Sequence, residues 1–127
     1  MTFLRTSVAV LLLNLTIHAQ PNPTTSDAWA QSGAGGIAVY ATVNNPSMYD
    51  IYIVSGKSDA AAKIELVNGD KTVTSITVPA YGSAELKPGA MFVRLSDLKG
   101  ELKAGDEVKL TLETDGGVAI AIAATVK

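Results

Sequence analysis

The chain has no cysteine, which excludes a disulfide framework and a thiol-linked lipoprotein anchor. It has a single histidine, His18, and that residue falls in the N-terminal leader described below. The remainder therefore lacks the two commonest transition-metal ligands and the usual general base. Charge is scarce as well. Charged residues make up 17% of the chain and the formal net charge is −2. No basic patch of the kind that neutralises phosphates is present, and nucleic acid is not expected as a partner. Ser55 and Ser83 stand outside any nucleophile motif, and the lone Ser-x-x-Lys, Ser96–Lys99, lacks the Ser-Asp-Asn and Lys-Thr-Gly segments that accompany that chemistry. The glycines of 33–36 lack the strand–Gly–helix setting of a phosphate loop. These absences together predict a protein that is not an enzyme.

What is present begins with a leader. Arg5 supplies a positive start, Val8–Ile17 is an apolar run too short to span a bilayer, and Ala19 provides the small residue of a signal-peptidase site. Residues 1–19 are read as a cleaved signal peptide, so the predicted location is periplasmic or extracellular, with no membrane contact after cleavage. Residues 20–35 read as an N-terminal arm or linker, because Gln20–Ser32 is rich in Pro, Thr and Ser without periodicity. Trp29 is its one large apolar group and is expected to tuck against the domain.

Residues 36–127 read as one domain of alternating strands. Ile37, Val39, Ala41 and Val43 face one way, as do Ile64 with Leu66, and Val108, Leu110 and Leu112. Asn68-Gly69 and Asp115-Gly116 are hairpin turns, with Lys71–Val78 predicted as the return strand of the first. In Met91–Leu95 the inward set is Met91, Val93 and Leu95, since burying Arg94 unpaired would be very costly. Ser96–Leu102 reads as an irregular loop. The small second face of the last strand, Ala119, Ala121 and Ala123, suggests that this strand is covered on both sides. About eight short strands and no convincing helix predict an all-β fold, an antiparallel Greek-key β-sandwich or barrel.

Several segments fall in a familiar order: Asp27-Ala28-Trp29-Ala30, Ala38–Asn44, Asp50, Lys63–Leu66, Glu85–Gly89, Leu98-Lys99, Leu102–Asp106 and Val108–Leu112. In that order the chain resembles the periplasmic copper chaperones called PCu(A)C, over nearly the whole of the domain. The resemblance implies a cupredoxin-like sandwich. In the family, two His and two Met bind copper(I) for delivery to a respiratory oxidase, and soft thioethers with imidazole suit that ion. One His follows the Val-Glu-Leu strand, a Met comes soon after, and a His-x-Met pair follows the Lys-Pro-Gly turn.

None of those ligands carries over. Val67 stands at the first His position, Asn68–Thr77 contains no Met, and Phe92-Val93-Arg94 replaces His-x-Met. A fixed guanidinium is hostile to a bound cation. Met48 and Met91 are the remaining thioethers and have nothing in the sequence to bring them together. The acids Asp106-Glu107, Asp97 with Glu101, and Asp70 show no calcium-loop spacing. The sequence thus predicts no cofactor, with copper the one left open through Met91 and Met48, and a binding or accessory module with an envelope protein as partner. Val67, Met91, Phe92 and Arg94 are its candidate contact residues. The alternatives are a chaperone that handles copper(I) through other ligands or a partner's, and a structural envelope domain. Tyr40, Tyr49, Tyr52 and Tyr81 are either half-packed strand residues or a surface patch.

Overall fold

The computed structural model describes residues 22–33 and 35–127; the expected leader, with His18, lies outside them. Among the described residues there is no helix. Ten strands form the fold: β1 (Thr24–Gly33), β2 (Gly36–Asn44), β3 (Ile51–Lys57), β4 (Ala61–Asn68), β5 (Lys71–Val73), β6 (Ile76–Val78), β7 (Ser83–Leu86), β8 (Met91–Leu98), β9 (Glu107–Thr114) and β10 (Ala119–Val126). They lie in the order β5-β4-β8-β2-β1-β10-β9-β3-β6, with β7 also on β2. The two ends of this path, β5 and β6, are joined by Thr74 and Ser75, so the sheet bends round into a nearly closed barrel. All pairs are antiparallel except β1 with β10, which is parallel.

The all-β expectation holds with ten strands in place of eight, and both extra strands have a physical origin. Lys71–Val78 is broken at Thr74-Ser75, so its halves pair with opposite edges, Leu66↔Val73 on β4 and Ile53↔Ile76 on β3. The other is the segment read as an irregular arm, which is strand β1. Its polar composition hides it, because it buries only Ala30 fully and is held mainly by backbone ladders to β2 and β10. A bulge between Ser26 and Trp29, with Asp27 at φ +53°, further erases its alternation. The glycines of 33–36 are therefore a hairpin turn. Gly36 sits at φ +128°, and a Cβ there would lie 2.0 Å from the Leu95 carbonyl oxygen, so no other residue allows this approach to β8.

The core forms where alternating apolar letters meet inside the barrel. Ile37, Val39 and Val43 of β2, Val93 and Leu95 of β8, Val108, Leu110 and Leu112 of β9, and Ile120 and Ile122 of β10 belong to one buried cluster. Burying a residue of this size contributes about 1.5–3 kcal/mol. Two local expectations fail. β8 continues as a strand through Leu98 into the expected loop, paired by Ala61↔Leu98. Ala119, Ala121 and Ala123 are exposed, because nothing among the described residues covers them on the outer face of β10.

Candidate functional site

Strand pairing places the positions singled out in the sequence on one outer face. Val67 lies opposite Phe92, Leu66 opposite Val93 and Glu65 opposite Arg94. Since side chains alternate along a strand, Leu66 and Val93 point into the core while Val67, Phe92, Glu65 and Arg94 share the outside. Phe92 continues a row of rings across the sheet. Its centroid is 5.8 Å from that of Tyr40 on β2, and Tyr40 is 4.5 Å from Trp29 on β1. Both pairs are tilted, at 54° and 41°, within the range in which aromatic contacts are favourable. The Lys127 Nζ sits 4.6 Å over the Trp29 ring and ends the row. Trp29 thus does tuck against the domain.

The second outward feature is an ion pair. Arg94 Nε–H donates to Glu65 Oε1 at 3.3 Å, with side chains only 33% and 19% exposed. The aliphatic stem of Arg94 runs beneath the β1–β2 turn, where a Cβ on Gly35 would lie 3.5 Å from its Cδ. Between that turn and the row of rings is a shallow cavity of about 290 Å³, lined by Gln31, Gly33, Tyr40, Phe92 and Arg94 among others.

The four candidate contact residues do not behave alike. Val67 is fully buried and has no surface to offer a partner, contrary to the sequence reading. Met91 is half-buried and packs against the core. Phe92 and Arg94 remain, both partly exposed and both lining the cavity. Sequence reasoning missed Trp29, Tyr40 and Glu65 as their neighbours; the Tyr40-to-Trp29 contact depends on a strand that polar letters conceal. Met48 lies apart from this face, exposed in the loop after β2.

Chemically, this face does not fit copper(I). Valine and phenylalanine have no donor atom, and a guanidinium has no lone pair to offer a metal. No group of three or more His, Cys, Asp or Glu suited to a metal occurs among the described residues.

Comparison with known proteins adds the following. A family model described as "Putative lipoprotein LpqE-like" matches residues 16–126. A protein of Leifsonia xyli subsp. xyli, described as "Putative lipoprotein Lxx21020", is 29% identical over 145 residues, covering 96% of this chain and 87% of its own. Among solved structures, the copper-bound PCuAC domain from PmoF2 superposes with a TM-score of 0.73 at 18% identity, covering 87% of this chain and 96% of that one. The CuI form of DR1885 from Deinococcus radiodurans gives 0.68 at 29% identity, covering 87% and 81%.

Proposed function

The chain belongs to the LpqE-like family and is a domain of the PCuAC copper-chaperone type, and from that premise we propose that it is an envelope-located, non-catalytic binding module that does not hold copper(I) on its own. One observation carries the reading. The positions at which the resemblance places a His and a His-x-Met pair are occupied by a hydrophobic residue, a ring in an aromatic row and an ion-paired arginine. The ring and the guanidinium are engaged with Tyr40 and Glu65, so the face is built as a surface and not as an open ligand set. Its contact residues are Phe92 and Arg94. A half-buried ring beside a sheltered guanidinium is the kind of anchor on which interfaces concentrate their energy. The lipoprotein description of the relative and the leader read in the sequence both support location in the envelope.

Titration of the purified chain with copper(I) against a competing chelator tests this. No stoichiometric binding tighter than micromolar is expected; nanomolar binding overturns the reading. A photo-crosslinker at Phe92, used in the intact envelope, is expected to capture a protein, and Arg94→Glu to abolish the capture. The 29% identity to a CuI-bound protein favours a second reading, copper handling with ligands lent by a partner. Copper(I) binding that appears only when the captured protein is added would establish it.

A further inference from the structure

Arg94 has more hydrogen-bonding capacity than its ion pair uses. A guanidinium carries several N–H donors in a planar fork. Its Nε–H is taken by Glu65 Oε1 at 3.3 Å, and among the described residues neither terminal nitrogen has a partner. The side chain is held all the same. Glu65 fixes it from β4, and the β1–β2 turn lies against it, where a Cβ on Gly35 would be 3.9 Å from Nη1. A fork held at Nε has already lost part of the rotamer freedom that binding would cost. In the lining of the cavity of about 290 Å³, Arg94 is the one charged residue.

Tyr40 points the same way independently of Arg94. The residue is only 6% exposed, yet among the described residues its hydroxyl has no hydrogen-bond partner. The one sealed side-chain polar atom left unpartnered there is Ser96 Oγ, so the Tyr40 oxygen keeps access to the outside. The cavity is where that access lies, since Tyr40 lines it. Between Trp29 and Phe92, a phenylalanine would serve the row of rings equally well. A hydroxyl that costs desolvation and engages no described protein atom is placed for something outside the fold.

The lining selects the chemistry of what enters. A guanidinium and a hydroxyl stand with the ring of Phe92, and no acid lines the cavity. Adjacent N–H groups of the fork match the two oxygens of a carboxylate. A phosphate dianion suits the site less, because the one guanidinium already shares its charge with Glu65. Surrounding charge agrees. Lys127 stands over Trp29 at the far end of the row and Lys63 lies across from Ser96, in a chain of net charge −2. The volume is at the floor of the range for small-molecule sites, which favours a side chain presented by a protein over a free metabolite.

We infer that this cavity receives an acidic side chain of the partner protein, with its carboxylate on the terminal nitrogens of Arg94 and the Tyr40 hydroxyl and a neighbouring apolar side chain on Phe92. The inference rests on the proposed contact face and names what that face recognises.

The test has two arms. In the first, the purified isotope-labelled chain is titrated with the N-acetyl dipeptide amides of Leu-Glu and Leu-Gln, and NMR follows the Arg94 Nε–H and Gly35 N–H signals. Leu-Glu is expected to bind about tenfold more tightly than its amide counterpart. Tyr40→Phe keeps the row of rings and is expected to weaken Leu-Glu about fivefold. Arg94→Lys keeps the charge but loses the fork, and is expected to weaken it about tenfold. Equal binding of the two peptides overturns the inference, as does Tyr40→Phe without effect or inorganic phosphate binding more tightly than Leu-Glu. In the second arm, the crosslink from Phe92 is mapped on the captured protein. An Asp or Glu beside the crosslinked position is expected, and its amide variant is expected to lower capture about tenfold. Capture at a segment without an acid, or undiminished by the amide variant, overturns the inference and leaves the contact face standing. No capture at all overturns that face, and the inference with it.

Discussion

Strand β8 has two faces one residue apart, and they answer to different demands. Inward, Val93 and Leu95 are fully buried and Met91 packs against the same core. Outward, Phe92 and Arg94 occupy the positions where the resemblance calls for a copper-binding pair. They are engaged in an aromatic row and an ion pair instead. Because a strand assigns alternate letters to opposite faces, a scaffold and a site can be written into the same eight residues and vary separately. Fold likeness to copper-bound domains therefore follows from the inward letters, whereas binding depends on the outward ones.

The strongest way to break this comparison is to rewrite only the outward letters. Val67→His, Phe92→His and Arg94→Met together place two imidazoles and a thioether on one face, with the inward set untouched. The expected outcome is gain of copper(I) binding, from weaker than micromolar to nanomolar, a change of about 4 kcal/mol. Competition with a chelator measures it. A folded triple variant that still ignores copper(I) would show that the frame, and not only its outer letters, has departed from a copper site.

Next in size is truncation on each face. Leu95→Ala removes a fully buried side chain and is expected to destabilise the fold by about 2–5 kcal/mol. Phe92→Ala, on the half-buried outer face, is expected to cost about 1–2 kcal/mol and to leave the core intact. Denaturant unfolding separates the two. Equal losses would mean that the aromatic row is a second core.

What could be read in the sequence divides along the same line. Period-2 alternation exposed β2, β9 and the inward set of β8, since an apolar letter in every second position has one explanation. The family resemblance located the outward positions, because Lys87-Pro88-Gly89 and Ile64-Glu65-Leu66 match the segments that flank them in that family. It could not show that Val67 is buried, because burial on an outer face comes from neighbours on other strands. β1 was invisible because backbone ladders hold it and leave no mark in side-chain letters. Ala119, Ala121 and Ala123 misled for a related reason. Small residues signal close approach only if something is there to approach, and among the described residues nothing covers those alanines of β10. The pairing of the Asn45–Asp50 and Pro79–Gly82 loops was half legible: Tyr49 and Tyr81 were noted, but the contact rests on a buried Asn45 and on backbone N–H groups, which leave no mark in the letters.

A smaller effect sharpens the outward face itself. Arg94 and Glu65 are coupled at 3.3 Å in partial shelter. A double-mutant cycle with Arg94→Met and Glu65→Gln is expected to return a coupling of about 0.5–1.5 kcal/mol, above that of a freely exposed pair. Coupling near zero would make Arg94 a solvated residue that happens to lie near an acid.

The smallest effect belongs to a more exposed ion pair, Glu113 with Lys57, and it serves as the control. Glu113 on β9 accepts the Ser55 hydroxyl at 2.9 Å and faces Lys57 at 3.2 Å, with side chains 41% and 73% exposed for the acid and the lysine. The Ser55 hydrogen bond, and then Lys57, hold the Glu113 carboxyl below the usual carboxylate range. An acid whose pKa is lower when folded contributes stability above its unfolded pKa. That contribution fades as the pH falls through the lowered folded value. Glu113→Gln is therefore expected to behave like the unmodified chain in strong acid and to be marginally less stable near neutrality. Salt is expected to erase even that margin, since solvent already screens the pair. The Arg94–Glu65 coupling, more sheltered, should keep more of its size under the same salt. If both pairs faded together, shelter by the β1–β2 turn would not distinguish the aromatic face from the rest of the barrel's exterior.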